Sequence, residues 1–250
     1  MTSPLKSRTI ALAMTPAEFS DAITQRPSKM LSTSNGKLKK AGIAVFSLPA
    51  FHASIVNSNG ELVNFRTCKS AGDCAGFCFA QQGSYLYKAS MVAHTRNLQF
   101  AIDDPWAFAD TIVDEISSKR KAPTAIRIHD SGDMFSRAYL HVWFDIAKRC
   151  PNTLFYIYTK EVKLLKSEAQ NVPANFLVAF SFGGKQDHLI DVENDRHSKV
   201  FASVEECLDA GYVLNEEDDM VAIDPQVTKI GLVYHGSNKG AFDKVTAVAA

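Results

Sequence analysis

Hydrophobic positions along this chain change period several times, and the changes mark out its elements. In Pro105–Lys119 the residues Phe108, Ile112 and Ile116 recur at helical spacing behind Asp104, so a capped helix is predicted there. Ser136–Lys148 gathers Tyr139, Leu140, Trp143, Phe144 and Ala147 on one helical face. Thr15-Pro16-Ala17-Glu18 has the pattern of a capping box with proline at the first helical position, which predicts a helix to about residue 25. Further helices are predicted over 84–100, Glu161–Glu168 and Ser203–Ala210. Short β-rich runs fall at Gly42–Leu48, Ala53–Val56, Glu61–Phe65, Ala125–His129, Thr153–Tyr158, Phe176–Phe182, Lys199–Ala202, Met220–Ile223 and Ile230–Tyr234. Ser58-Asn59-Gly60 is a tight turn between two of them.

Strand and helix alternate with short connections over the second half of the chain, which implies parallel strands joined by helical crossovers. The fold class is therefore α/β. Five or six such units predict a full or partial barrel of the (β/α)6 type, with a short N-terminal helix and a hairpin added. A doubly wound open sheet is the other architecture this pattern allows. Residues 1–41 read as an N-terminal extension, and 42–250 as a single barrel-like domain.

Composition narrows the class of function. The 250 residues carry 27 basic and 27 acidic side chains, a formal net charge of zero. That balance gives no clear nucleic-acid signal. No apolar run approaches the roughly 18 residues of a membrane span, and Thr9–Met14 is too weakly apolar to be the core of a signal peptide. A reducing cytoplasm is the expected compartment, since three close cysteines cannot all pair as disulfides.

Those cysteines are the strongest chemical signal. Cys68, Cys74 and Cys78 stand in a C-x5-C-x3-C spacing, in a chain with only five cysteines. Thiolates favour zinc, copper(I) and iron–sulfur centres. Gly72 and Gly76 would let the backbone wrap around a bulky centre, and Phe77 and Phe79 would shield it. An iron–sulfur cluster, a zinc site completed by His52 or His94, and three buried thiols are the competing readings. A fully ligated [4Fe–4S] cluster needs four cysteines. Cys150 and Cys207 are the remaining candidates, although each fits an ordinary buried position. Without a fourth, one iron stays open to a small molecule.

A second constellation is Arg127-Ile-His129-Asp130-Ser131-Gly132-Asp133, where a predicted strand runs into a loop. In parallel α/β folds, ligand chemistry gathers at the C-terminal ends of strands. His129 and Asp130 are candidates for acid–base work, and Ser131, Gly132 and Asp133 for ligand binding. The alternative is a turn in which Asp130 and Asp133 cap the next helix. Other strand ends offer Thr159 and Lys160; Ser181 with Gly183 and Gly184, whose glycines could admit a phosphate or ribose; Asp224 and Gln226; and His235. The acidic run Glu216–Asp219 reads as a solvated loop, and Lys37, Lys39 and Lys40 as a solvated face.

Three stretches carry a resemblance. They are Pro27–Met30 through Phe46-Ser-Leu-Pro-Ala50, the cysteine loop ending Cys78-Phe-Ala80, and Arg127–Asp133 followed by Phe135-Ser136, Tyr139, Trp143 and Tyr158-Thr-Lys160. Together they resemble the phage and bacterial gene product 88 family over roughly residues 27 to 160. More distantly, the chain is similar to radical S-adenosylmethionine (SAM) enzymes, which have a partial α/β barrel and three cysteines after the first strand. That likeness implies Cys68, Cys74 and Cys78 as ligands of a [4Fe–4S] cluster with an open iron for SAM. Phe77 matches an aromatic commonly found before the third cysteine. Ser131-Gly132-Asp133 falls where those enzymes often have Gly-Gly-Glu against the SAM amino group. The cysteine spacing departs from the usual C-x3-C-x2-C, and Asp133 is one carbon shorter than Glu. The implied partners are a small-molecule or macromolecular substrate and a reductant protein; for a phage gene, the compartment would be the host cytoplasm. A non-enzymatic iron–sulfur or zinc module for electron transfer, sensing or scaffolding is the rival.

Overall fold

The computed structural model describes residues 14–118, 122–215, 218–235, 240 and 242–243. The Thr9–Ala13 patch, Lys119, Glu216 and Gly236 lie outside the described residues. In chain order the elements are α1 (Pro16–Thr24), α2 (Gly36–Lys40), β1 (Ile43–Phe46), β2 (His52–Val56), β3 (Leu62–Arg66), α3 (Cys74–Phe77), α4 (Lys88–Asp103), α5 (Pro105–Ser117) and β4 (Ala125–Ile128). They continue with α6 (Arg137–Arg149), β5 (Leu154–Thr159), α7 (Val162–Ser167), β6 (Phe176–Ser181), β7 (His197–Phe201), α8 (Val204–Asp209), β8 (Val213–Leu214) and β9 (Lys229–Val233).

Seven strands form one sheet in the order β1-β4-β5-β6-β7-β9-β8, every neighbouring pair parallel. From β1 to β7 each crossover moves the chain one strand onward in the same direction. A doubly wound sheet reverses direction near its middle; here the order turns back only at β8. The sheet curls into a half-barrel. β2 and β3 make a separate antiparallel hairpin inside the long connection from β1 to β4.

Alternation along the strands sorts residues between two faces. Ala44, Phe46, Ile126, Ile128, Phe155 and Ile157 join the large core with α5 and α6. There Phe46 meets Phe108 at 5.5 Å and Trp143 at 5.1 Å, both edge-to-face. Ile43, Val45, Ala125 and Tyr156 face the other way and pack with Leu38 of α2 and with Ala222. The segment before β1 is tied into both layers. Met30 and Leu31 belong to the large core, their N–H groups donating to the buried Glu115 carboxylate at 2.8 and 3.0 Å.

The helix starts follow the sequence signals. Thr15 and Glu18 form the reciprocal capping box, and Asp104 accepts from Ala107 N–H. Ser136, read as the first helical residue, is instead the cap of α6, accepting from Tyr139 N–H. One predicted strand is absent: Met220–Ile223 is a turn, and the edge strand is β8 at 213–214. The Arg196 guanidinium gives the physical reason. It donates to the carbonyls of Ala222 at 2.7 Å and Val227 at 2.9 Å, with longer bonds to Val221 and Asp224. Carbonyls gathered on one side chain satisfy the backbone without a ladder.

Candidate metal centre and its cavity

A cavity of about 1190 Å³ opens at the C-terminal ends of the strands. It is lined by Cys68, Cys74, Phe77 and Cys78, by His129, Asp130, Ser131, Gly132 and Asp133, and by Lys160 and Ser181. These residues come from the cysteine loop and from the ends of β4, β5 and β6. One space thus gathers the candidate residues that the sequence scattered over more than a hundred positions.

The cysteine loop is held by the loops beside it. Gly72 and Cys74 donate backbone N–H groups to the Gly183 carbonyl at 3.3 and 3.1 Å, and Ala71 bridges Gly184. Ser70 N–H donates to Glu161 at 2.9 Å, and Ser70 O accepts from Lys185 N–H at 2.8 Å. Close approach explains the glycines. A Cβ on Gly184 would lie 3.0 Å from Lys160 Cβ, and one on Gly72 would lie 3.0 Å from the Gly184 backbone. Gly183 and Gly184 therefore admit the cysteine loop. A Cβ on Gly76 would meet nothing within 4 Å, so close wrapping is confined to Gly72.

Each thiol has a distinct setting. Cys68 Sγ accepts from Phe51 N–H at 3.3 Å, and Phe51 takes a left-handed backbone (φ 64°) that is uncommon outside glycine. Burial pushes the Cys68 thiol up to about 12, with Asp133 adding to the rise. Burial also raises Cys74 and Cys78, while Lys160 acts to lower both. At neutral pH the three are thiols, so a metal binding there must displace protons. Phe77 stands edge-on to Tyr234 and Phe242, which stack on each other at 4.7 Å.

The Arg127–Asp133 segment does not serve as a helix cap. Both oxygens of the Asp130 carboxylate accept from Tyr85 OH, at 2.9 and 2.7 Å. Ser131 Oγ donates to the Leu48 carbonyl, and Ser131 O accepts from Leu48 N–H. Gly132 has φ 86°, and a Cβ there would lie 2.6 Å from Leu48 Cβ. Asp133 is 5% exposed. Its Oδ1 accepts from Met134 N–H at 2.7 Å and Thr159 Oγ1 at 2.6 Å, its Oδ2 from Lys160 N–H at 3.0 Å. Burial raises its pKa against the lowering effect of those bonds. Asp133 is thus a positioning residue that ties the end of β4 to the end of β5. Lys160 Nζ donates to Ser181 Oγ at 3.0 Å across the next pair of strand ends.

His129 sits in the aromatic core, its Nε2 2.8 Å from Tyr139 OH and its ring stacked on Tyr139. Burial lowers its pKa to about 3, so the imidazole is neutral through the physiological range. Cys150 and Cys207 are buried and do not line the cavity, nor do His52 and His94. Asp224 and Gln226 are exposed and away from it.

Sequence reading missed Asp219. It stands in a run read as a solvated loop, yet it is 4% exposed and pairs with Arg127 at 2.8 Å on the cavity floor. Tyr85 was missed too, because nothing local ties it to Asp130, 45 residues away.

Among the described residues, no group of three or more His, Cys, Asp or Glu is close enough to share a single metal ion. No helix among them is long and apolar enough to cross a membrane. A family model described as gene product 88 matches residues 24–248. The chain is 29% identical over 94 residues to the gene 88 protein of Mycobacterium phage L5, a match covering 35% of this chain and 39% of that protein. No solved structure matches.

Proposed function

We propose, for a chain that belongs to the gene product 88 family, that Cys68, Cys74 and Cys78 hold a [4Fe–4S] cluster with one iron open to a small ligand. The observation that carries this reading is that all three thiols open into one cavity, which neither remaining cysteine lines. A zinc ion asks its ligands to converge on one point at about 2.0–2.3 Å. A cubane asks each cysteine to reach a different iron around a shared space. Three thiols that line one cavity are what supports the second demand. The Phe51 N–H on Cys68 and the Lys160 ammonium near Cys74 and Cys78 would stabilise sulfur that has lost its proton.

SAM is the proposed ligand of the open iron, and the half-barrel would then be of the radical SAM type. The singly directed strand order and the cavity at the strand ends support it. Radical generation from SAM is the chemistry such a centre supplies when bound. The residues of this chain would present the thiols, exclude water through Phe77 and its aromatic partners, and hold the ligand beside Ser181 and Lys160. The engagement of both Asp133 oxygens favours a second reading, a cluster module without SAM chemistry, since three of that acid's four lone-pair sites are already taken by Met134, Thr159 and Lys160.

Anaerobic purification tests the cluster. The expected product is brown, absorbs near ~400 nm and carries about four irons per chain. A colourless protein with one zinc would sink the reading. SAM added to the reduced protein should alter the cluster spectrum and release deoxyadenosine; a normal cluster indifferent to SAM would leave the module reading standing.

A further inference from the structure

Lys160 is a cavity cation without a counter-ion in contact. Its Nζ donates to Ser181 Oγ at 3.0 Å, and both residues line the cavity beside Cys74 and Cys78. The ammonium acts electrostatically on both of those thiols, which places it on their side of the space. Its stem is held by the loop after β6: a Cβ on Gly184 would lie 3.0 Å from Lys160 Cβ and 3.1 Å from its Cγ. No ion pair to Lys160 forms among the described residues.

The carboxylates around it are engaged elsewhere. Asp133 accepts from Met134 N–H, Thr159 Oγ1 and the backbone N–H of Lys160. Asp187 accepts from the N–H groups of Gly183 and Gly184 at 2.8 and 2.9 Å. Glu161 accepts from Ser70 N–H. An ammonium has three hydrogens to donate, and a hydroxyl has one. Lys160 gives one of its three to Ser181, whose own hydrogen meets no acceptor among the described residues. The pair is therefore rich in donors and poor in acceptors, on two atoms whose separation is fixed at 3.0 Å. Lys160 is also half-buried, and a charge taken partly out of water is costly without a partner.

We infer that Lys160 Nζ and Ser181 Oγ together bind the carboxylate of an acidic small molecule in this cavity. A carboxylate only accepts, and it offers two oxygens to two neighbouring donors. A phosphate monoester fits worse. It brings about two negative charges against one ammonium, close to Asp133 and Asp187, both of which act on Cys74. A carboxamide fits worse too, because its NH2 would face a donor. Ala75, Phe77 and Phe79 line the same space and suit an apolar body on the acid. The inference rests on the proposed function only in taking this cavity as the ligand chamber. SAM is one such acid, and a substrate acid is another.

Ligand-observed saturation-transfer NMR on the full chain tests it with two matched pairs of probes. 3-Phenylpropionate is compared with 3-phenylpropionamide, and SAM with decarboxylated SAM. The acid of at least one pair should bind, and its partner lacking the carboxylate should bind at least about tenfold more weakly. Preference for 3-phenylpropionate assigns the pair to a substrate acid, and preference for SAM alone assigns it to SAM. Lys160→Met keeps the stem and removes the ammonium; acid binding should weaken at least about tenfold while near-UV circular dichroism stays native. Equal binding of both members in each pair, silence from both acids, or unchanged acid binding in a folded Lys160→Met overturns the inference. The acid and amide comparison needs no variant. Visible absorption recorded on the same sample separates the two claims. A cluster without acid binding removes this inference alone, and acid binding without a cluster removes the cluster alone.

Discussion

The rim and the floor of the cavity are both polar, and they use their polarity in opposite ways. At the rim, the side chains of Ser131, Asp133 and Glu161 are matched by protein groups, most of them backbone. They join the loops after β4 and β5 to one another and to the chain around the cysteines. On the floor, Arg127 and Asn215 are anchored on one side by Asp219 and leave a donor and an acceptor over. The rim is stitched through the backbone, whereas the floor is a cluster of side chains gathered on one carboxylate. The difference separates residues that hold the loops around the thiols from residues that hold one another.

Changes at the rim should damage structure or metal content, and changes on the floor should not. The largest effect is expected from replacing Cys68, Cys74 and Cys78 together by serine. Visible absorption and iron content should fall to background while near-UV circular dichroism keeps its native shape; retained iron would move the metal elsewhere. Gly132→Ala comes next, since its new Cβ meets Leu48 and its φ of 86° disfavours any side chain. Urea denaturation should show a loss of about 2–3 kcal/mol, and an unchanged midpoint would mean that the rim turn is not the stitch described.

A pH series gives a smaller effect. The folded pKa of His129, about 3, lies below its ordinary value of 6.5, so the unfolded chain binds more protons between those values. Stability contributed by neutral His129 is therefore present above 6.5 and declines as pH falls toward 3, by at most about 1.4 kcal/mol per pH unit. Raised carboxylates act the opposite way: burial of Asp133 and Glu161 favours their protonated forms, and their contribution declines as pH rises. Subtracting the pH profile of His129→Phe from that of the wild type isolates the imidazole. Parallel profiles would show that His129 does not carry this dependence. Smallest of all, Arg127→Lys should cost about 1 kcal/mol, because lysine can still pair with Asp219 but gives up the guanidinium's place over the Tyr158 ring. A loss several times larger would make the floor a structural element like the rim.

Much of the rim was legible in the sequence, for a physical reason. Cys68 to Cys78, Arg127 to Asp133, Lys160 and Ser181 each lie at or just beyond a strand end, and strand patterns are local. The parallel crossovers bring the ends of β4, β5 and β6 to one side of the sheet, whereas the cysteine loop follows the hairpin strand β3 and reaches that side by docking on Gly183. What escaped was long-range. Asp219 sits among acidic neighbours, and its burial rests on Arg127 and Tyr156, 92 and 63 positions away. The run Met220–Ile223 has strand composition, but Arg196 gathers the carbonyls around it into a turn. Gly183 and Gly184 announced a close approach without naming the visitor, which is a neighbouring loop of the same chain. Asp133 was legible as an important acid, and its commitment to Thr159 and Lys160 was not.

The docking of the cysteine loop on Gly183 also sets a schedule for synthesis. Cys74 leaves the ribosome roughly 110 residues before Gly184, an interval of about 5–20 s at ordinary elongation rates. Throughout that interval the thiols lack the surface that orders them, and they are open to oxidants and stray metals. A nascent chain stalled before β6 should therefore react with a thiol-specific label at Cys68, Cys74 and Cys78 faster than the finished protein does. Equal labelling would mean that the loop takes its shape before its dock exists.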